Sequence, residues 1–235
     1  MAKEILMKFF SVDGGLYKFF SRFWDMVKLN FLWLLCSLPI VTVGVSTIAA
    51  YTVTLKMVDD KEGYVARSFF KAFKENIKQG MVIGIITLVC AYALFLDFQL
   101  GSKSVAIFVV GILSAYLFLM VLIYTYPLLA RYDNKLLQTM KNSWLISTRF
   151  FGKTFMLIFV IAIEIIVFLF NNITLIVGVL IGPACIFLTV SGVAMHFFKQ
   201  IEKEGGCKVR NEDNQLMEDT DMDNDNEKEN NNENI

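Results

Sequence analysis

Residues 29–55, LNFLWLLCSLPIVTVGVSTIAAYTVTL, carry no charged side chain, are interrupted by Pro39 and Gly44, and are bordered by Lys28 and Lys56. A helix that crosses a bilayer core needs about 20 apolar residues, so these twenty-seven are too many for one straight span and few for two. The charges on either side decide between the geometries. Lys and Arg near span ends concentrate on the cytoplasmic side. Five precede the stretch (Lys3, Lys8, Lys18, Arg22, Lys28) and six follow it (Lys56, Lys61, Arg67, Lys71, Lys74, Lys78), so both ends belong to the same side. The expectation is a fold-back: residues 29–38 enter, the segment from Ser37 to Gly44 turns, and Ser46 caps a returning helix. A hairpin and a re-entrant loop both satisfy this, and a single long tilted span is the other shape the length permits. Irregular backbone at that depth has to be shielded by protein or by cavity water.

The rest of the chain has the composition of a lipid-dissolved protein. Of 235 residues, 56% are apolar, 22 are Phe and only 19% are charged, against about a quarter charged in soluble domains. The zero net charge hides a split. Residues 1–198 hold 17 Lys and Arg against 10 Asp and Glu, and residues 199–235 hold 5 against 12. Cys36, Cys90 and Cys185 sit in apolar runs as small hydrophobes and Cys207 stands apart, so neither a disulfide framework nor a metal spacing follows. The N-terminal segment has basic residues but neither an early apolar run nor a small-residue cleavage site, which argues against a removable signal peptide.

Four further crossings are expected at 81–96, 104–130, 154–170 and 173–198. The links between the paired spans hold only Lys103 in one case and Asn171-Asn172 in the other, so both lie outside, whereas 131–153 and the chain after Phe198 are basic and lie inside. Each apolar pair follows an amphipathic basic segment, at 16–28, 64–79 and 131–153, as in three degenerate repeats. Residues 16–28 place Leu16, Phe19, Phe20, Phe23 and Val27 on one face, which suits either an interfacial helix or the inner end of the first span. In the second segment Arg67, Lys71, Lys74 and Lys78 recur at helical spacing opposite Ala66, Phe69, Phe73 and Ile77, a pattern for contact with anionic lipid headgroups. That phenylalanine-rich face argues against nucleic acid as the partner. The fold class is thus an all-α polytopic bundle over 1–200, with four clear spans plus a broken N-terminal hairpin and six membrane helices in all. A disordered acidic, Asn-rich cytoplasmic tail over 201–235 follows.

Chemistry has few places to sit. Glu164 is the one carboxylate near the middle of a span, where a charge costs about 2.5–3.5 kcal/mol. It should therefore face the bundle or a wet cavity, with Ser114, Tyr116 and Thr87 as hydrogen-bond partners. It reads either as a proton or cation relay or as an uncharged carboxyl that ties helices together. Asn30, Thr42, Ser46 and Thr47 surround the break, where they either satisfy freed backbone or bind an ion or solute at half-helix ends. Gly80-x-x-x-Gly84 and Gly178-x-x-x-Gly182 permit close helix approach. His196 has no second histidine or cysteine pair beside it, and no metal, cofactor, phosphate-loop or hydrolase motif occurs. A non-enzymatic protein is expected.

Three segments together carry a resemblance: residues 31–51, FLWLLCSLPIVTVGVSTIAAY; Glu62-Gly63-Tyr64 with FFKAFKEN at 69–76; and residues 128–134 with Lys141-Asn142. They resemble the YesL-like family of small bacterial membrane proteins, with L-P-x-x-T-x-G the most specific part, over roughly residues 8 to 200. The resemblance implies an integral plasma-membrane protein of unestablished activity, often encoded beside sugar ABC transporters, glycoside hydrolases and two-component sensors. It supplies no catalytic residues. The expected role is an accessory or scaffold to carbohydrate uptake or sensing, with a sugar ABC transporter or sensor kinase as partner, and the alternative is a small-solute or proton-coupled transporter. Oligomeric state is not legible.

Overall fold

A computed structural model describes residues 15–59, 63–101 and 105–203. Among them are eight α-helices and no strand: α1 Gly15–Cys36, α2 Val43–Val58, α3 Val65–Glu75, α4 Ile77–Gly101, α5 Val105–Arg131, α6 Leu136–Arg149, α7 Phe151–Leu169 and α8 Asn172–Lys203. The expectations for the tail, and those resting on Lys3, Lys8, Lys61, Lys103 and Cys207, lie outside the described residues.

The second half of the opening stretch is the centre of the bundle. Helix α2 touches α1, α3, α4, α5 and α8. It buries 56% of its apolar window, against 11% for α4, α5 and α7. Its sequence explains this: Gly44, Ser46, Ala49 and Ala50 keep the helix thin, so neighbours approach from every side. The other spans turn Leu, Ile, Val and Phe outward, which costs nothing where lipid is the solvent.

The break at Pro39 is present, but its bounds differ from those expected. Helix α1 stops at Cys36, a 3-10 turn occupies Ile40–Thr42, and α2 starts at Val43. Ser46 is therefore one turn inside α2 and does not cap it, and Gly44 is a packing residue and not part of the turn. A Cβ on Gly44 would lie 2.2 Å from the Gly80 carbonyl oxygen and 2.6 Å from the Gly84 Cα, so Gly80-x-x-x-Gly84 is the seat of α2 on α4. Residues 16–28 are not a separate interfacial helix. They run unbroken into 29–36 as α1, whose Phe20, Trp24, Phe31 and Leu35 face outward.

Five helical stretches are long and apolar enough to span: Ile40–Val58, Ile77–Gly101, Val105–Arg131, Phe151–Leu169 and Asn172–Glu202. Helix α1, with Arg22, Asp25 and Lys28 along it, is not among them. The element order α3-α4-α5 and α6-α7-α8 repeats an amphipathic helix followed by two spans, while the first unit holds only α1 and α2. Helix α3 buries Val65, Phe69 and Ala72; Ala66 and Ile77, expected on the inner face, are exposed. Helix α6 presses Ser143 and Ser147 onto the carbonyl oxygens of Val121 and Met120 in α5.

Candidate functional site

Three hydroxyls at the break, those of Thr42, Ser46 and Thr47, are engaged by nearby backbone, while that of Ser37 is buried with no partner. Thr42 Oγ1 donates to the carbonyls of Cys36 (2.6 Å) and Pro39 (2.7 Å), which closes the turn where proline has removed a donor. Ser46 Oγ donates to Thr42 O at 3.0 Å and Thr47 Oγ1 to Val43 O at 2.8 Å, while Trp33 Nε1 donates to Thr47 Oγ1 at 3.2 Å. Ser46 and Thr47 back-bond the carbonyls four residues earlier, at the start of α2, whereas Thr42 serves the carbonyls at the break itself.

Asn30 does the same for a different break. It is buried, and its Nδ2 donates to the carbonyls of Val179 (2.8 Å) and Leu180 (2.7 Å) in α8. Pro183 lies inside α8 and lacks the N–H that would bond the carbonyl four residues earlier, that of Val179. The Asn30 amide replaces that donor, which anchors α1 to α8. Its Oδ1 is buried with no partner.

Glu164 is half-buried on the α8 side of α7. Thr189 Oγ1 donates to its Oε1 at 2.7 Å, and Oε2 is buried with no partner. None of the three partners expected for it is engaged there. Thr87 bonds Tyr126, Ser114 bonds the Gly111 carbonyl, and the Tyr116 hydroxyl is buried without a partner. The reason is topological: α7 pairs with α8, whereas α4 and α5 pair with each other. Asn30 and Glu164 thus hold α8 at separate places, Val179–Leu180 and Thr189. A hollow of about 600 Å³ between α5 and α7, lined by Val109, Ile112, Leu113, Tyr116, Phe151 and Phe155, contains none of the candidate polar residues.

A polar cluster not anticipated from the sequence joins the ends of α2, α5 and α8. Arg131 Nε donates to Glu202 Oε1 at 2.8 Å and its second nitrogen to Oε2 at 3.2 Å; the Tyr132 hydroxyl donates to Oε1 at 2.7 Å; Lys199 Nζ meets Asp59 Oδ1 at 2.7 Å. Burial, then the carboxylate of Glu202, push the Tyr132 hydroxyl well up, so it stays a donor at neutral pH. Arg131 and Lys199 stand in the basic segments at span ends, but a pairing across 71 positions leaves no local signal. The Arg131 side chain is only 10% exposed. Replacing Glu202 with Leu strands that guanidinium and is expected to cost on the order of 3 kcal/mol. Lys199→Ala removes a partner that is 56% exposed and is expected to cost at most about 1 kcal/mol. Thermal unfolding in detergent separates the two, and equal losses would contradict the difference in burial.

The cations expected at headgroups, Arg67, Lys71 and Lys74 on α3 and Lys78 in the first turn of α4, are all exposed, with the buried stripe of α3 on the other side. No group of three or more metal-ligating side chains occurs among the described residues.

Residues 26–98, which cover the end of α1, the break and α2 to α4, match the family described as "Protein of unknown function, DUF624". The chain is similar to "Uncharacterized protein YesL" of Bacillus subtilis (strain 168), with 27% identity over 143 residues, covering 58% of this chain and 68% of that protein. No solved structure matches. The family match takes in the segment that organises the fold.

Proposed function

We propose that this YesL-like chain is a non-enzymatic accessory or scaffold protein of the bacterial plasma membrane, which holds another membrane complex against its outer span faces and its basic α3. The observation that carries the proposal is how the polar groups are used. Thr42, Ser46, Thr47 and Asn30 are tied to backbone inside the bundle, so no run of open polar groups links the break to Glu164. Meanwhile α4, α5 and α7 present long apolar faces. In this reading both termini are cytoplasmic, which is supported by the Lys199–Asp59 and Arg131–Glu202 pairs bringing residues 59, 131 and 199–202 to one end of the bundle, the end with the basic segments. Carbohydrate uptake or sensing as the setting comes from the family resemblance alone.

The test is affinity purification from detergent-solubilised native membranes. Recovery of a sugar-transporter subunit or sensor kinase, lost when Leu88, Tyr92 and Phe95 on the outer face of α4 become Ala, supports the proposal. Recovery unaffected by those changes removes that surface from it. A cysteine at Lys71 labelled in intact cells by a membrane-impermeant thiol reagent would overturn the orientation.

The transporter alternative has one observation in its favour: Glu164 Oε2 and Asn30 Oδ1 are buried and unpartnered, and such atoms call for an explanation. Glu164→Gln keeps an oxygen for Thr189. For a scaffold it is expected to leave folding and partner recovery unchanged; solute uptake by vesicles holding only this protein, abolished by the same change, would establish the transporter instead.

A further inference from the structure

The exposed cations of α3 lie opposite the face that packs on the bundle. The buried stripe of Val65, Phe69 and Ala72 is committed to the bundle, while Arg67, Lys71 and Lys74 are exposed at steps of four and three residues, neighbours on one helical face, and Lys78 is exposed in the first turn of α4, beyond the turn at Asn76. The chain that continues past Lys203 has the opposite composition. Residues 212–229 hold nine Asp and Glu against one Lys, including Asp219, Asp221, Asp223 and Asp225 at every second position. We infer that this acidic segment docks on the cationic row of α3 within the same molecule and covers it. The inference rests on the reading of that row as a surface for anionic headgroups.

Three features support the intramolecular occupant. The point of departure is close by, because Lys199, four residues before the end of α8, is 2.7 Å from Asp59, which immediately follows α2 and precedes α3. Reach is ample: the thirty-two residues after Lys203 can span on the order of 110 Å, whereas α3 is about 16 Å long. Spacing also suits the charges. Carboxylates at alternate positions of an extended chain lie on one side about 6.6 Å apart, near the roughly 5–6 Å between helical neighbours three and four apart. Single exposed ion pairs are weak, but tethering makes their formation an intramolecular event with an effective concentration in the millimolar range. An anionic lipid surface has to compete with that.

The test places p-benzoylphenylalanine at Met222 in the full-length protein, in phosphatidylcholine nanodiscs, and maps photo-crosslinks by mass spectrometry. Crosslinks to residues 64–78 are expected, falling several-fold between about 0.05 and 0.5 M salt. They should fall equally in the Asp219→Asn, Asp221→Asn, Asp223→Asn, Asp225→Asn quadruple variant, whose changes lie outside the bundle, and in the Arg67→Gln, Lys71→Gln, Lys74→Gln, Lys78→Gln variant. Crosslinks that land elsewhere, or that neither charge set alters, overturn the inference. Phosphatidylglycerol nanodiscs separate the two readings. If the crosslinks vanish there, headgroups and the acidic segment share the row. If they persist undiminished, the intramolecular contact stands and the headgroup reading fails.

Discussion

Gly44→Ala is expected to be among the most damaging single-methyl changes in the chain, costing about 3 kcal/mol or more of stability. Its added Cβ would sit 2.2 Å from Gly80 O, 2.6 Å from Gly84 Cα and 2.7 Å from Gly84 N. Those atoms are all backbone, so relief requires α2 and α4 to separate. Overpacking that side chains can absorb costs about 1–3 kcal/mol, and a backbone clash belongs at or above the top of that range. The partners should follow in order of approach. A Cβ on Gly80 meets Val45 Cα at 2.7 Å and one on Gly84 meets Gly44 Cα at 3.1 Å, so Gly80→Ala is the milder change and Gly84→Ala milder still. Gly192, in α8 with nothing within 4 Å of its Cβ position, is the control. Helix propensity alone favours Ala over Gly by about 1 kcal/mol, so Gly192→Ala is expected to be neutral or stabilising. The opposite signs at Gly44 and Gly192 isolate the helix contact from propensity. The four midpoints of thermal unfolding in detergent give the order directly, and a Gly44→Ala protein as stable as Gly192→Ala would mean that α2 does not sit on α4 in this way.

What the sequence revealed and what it hid divide along range. The uncharged runs, the basic borders and the period of the amphipathic segments are local properties, and they yielded an all-helical protein with membrane-length spans, a break at Pro39 and an outward basic row on α3. Gly44 was misread because proximity to Pro39 made it look like part of the turn; its function depends on Gly80, 36 residues away, and nothing in the neighbourhood of either glycine encodes the meeting. Ser46 was misread for a related reason. A serine after a break suits an N-cap, but Thr42 closes the turn and α2 begins three residues earlier. For Glu164, depth in the span was readable and the need for a partner followed from it. The partner was not, because which helix lies beside α7 is a question of bundle topology. The Arg131–Glu202–Tyr132 cluster was hidden in the same way.

Asn30→Leu is expected to cost about 2–4 kcal/mol, and the cost should depend on a proline 153 residues away. Leucine keeps asparagine's heavy-atom count and branching but has no donor, so the carbonyls of Val179 and Leu180 forfeit the one now 2.8 and 2.7 Å away, and its bulkier methyls add a packing cost. A buried acceptor left unpaired costs about 1–3 kcal/mol. Pro183→Ala supplies an N–H at position 183 that can bond Val179 O as in an unbroken helix, so one of the two carbonyls no longer needs Asn30. In that background Asn30→Leu is expected to lose roughly half its effect, a coupling of at least about 1 kcal/mol between residues whose side chains share no hydrogen bond. The cycle also discriminates between explanations of Asn30. If it acts through packing alone, the two substitutions add. If it is an ion ligand, as the transporter alternative would have it, its replacement abolishes a salt-specific rise in unfolding temperature whatever residue occupies position 183. A donor that mends the break in α8 predicts coupling without ion dependence. Unfolding of the four proteins in detergent, with sodium and potassium exchanged for choline, separates all three.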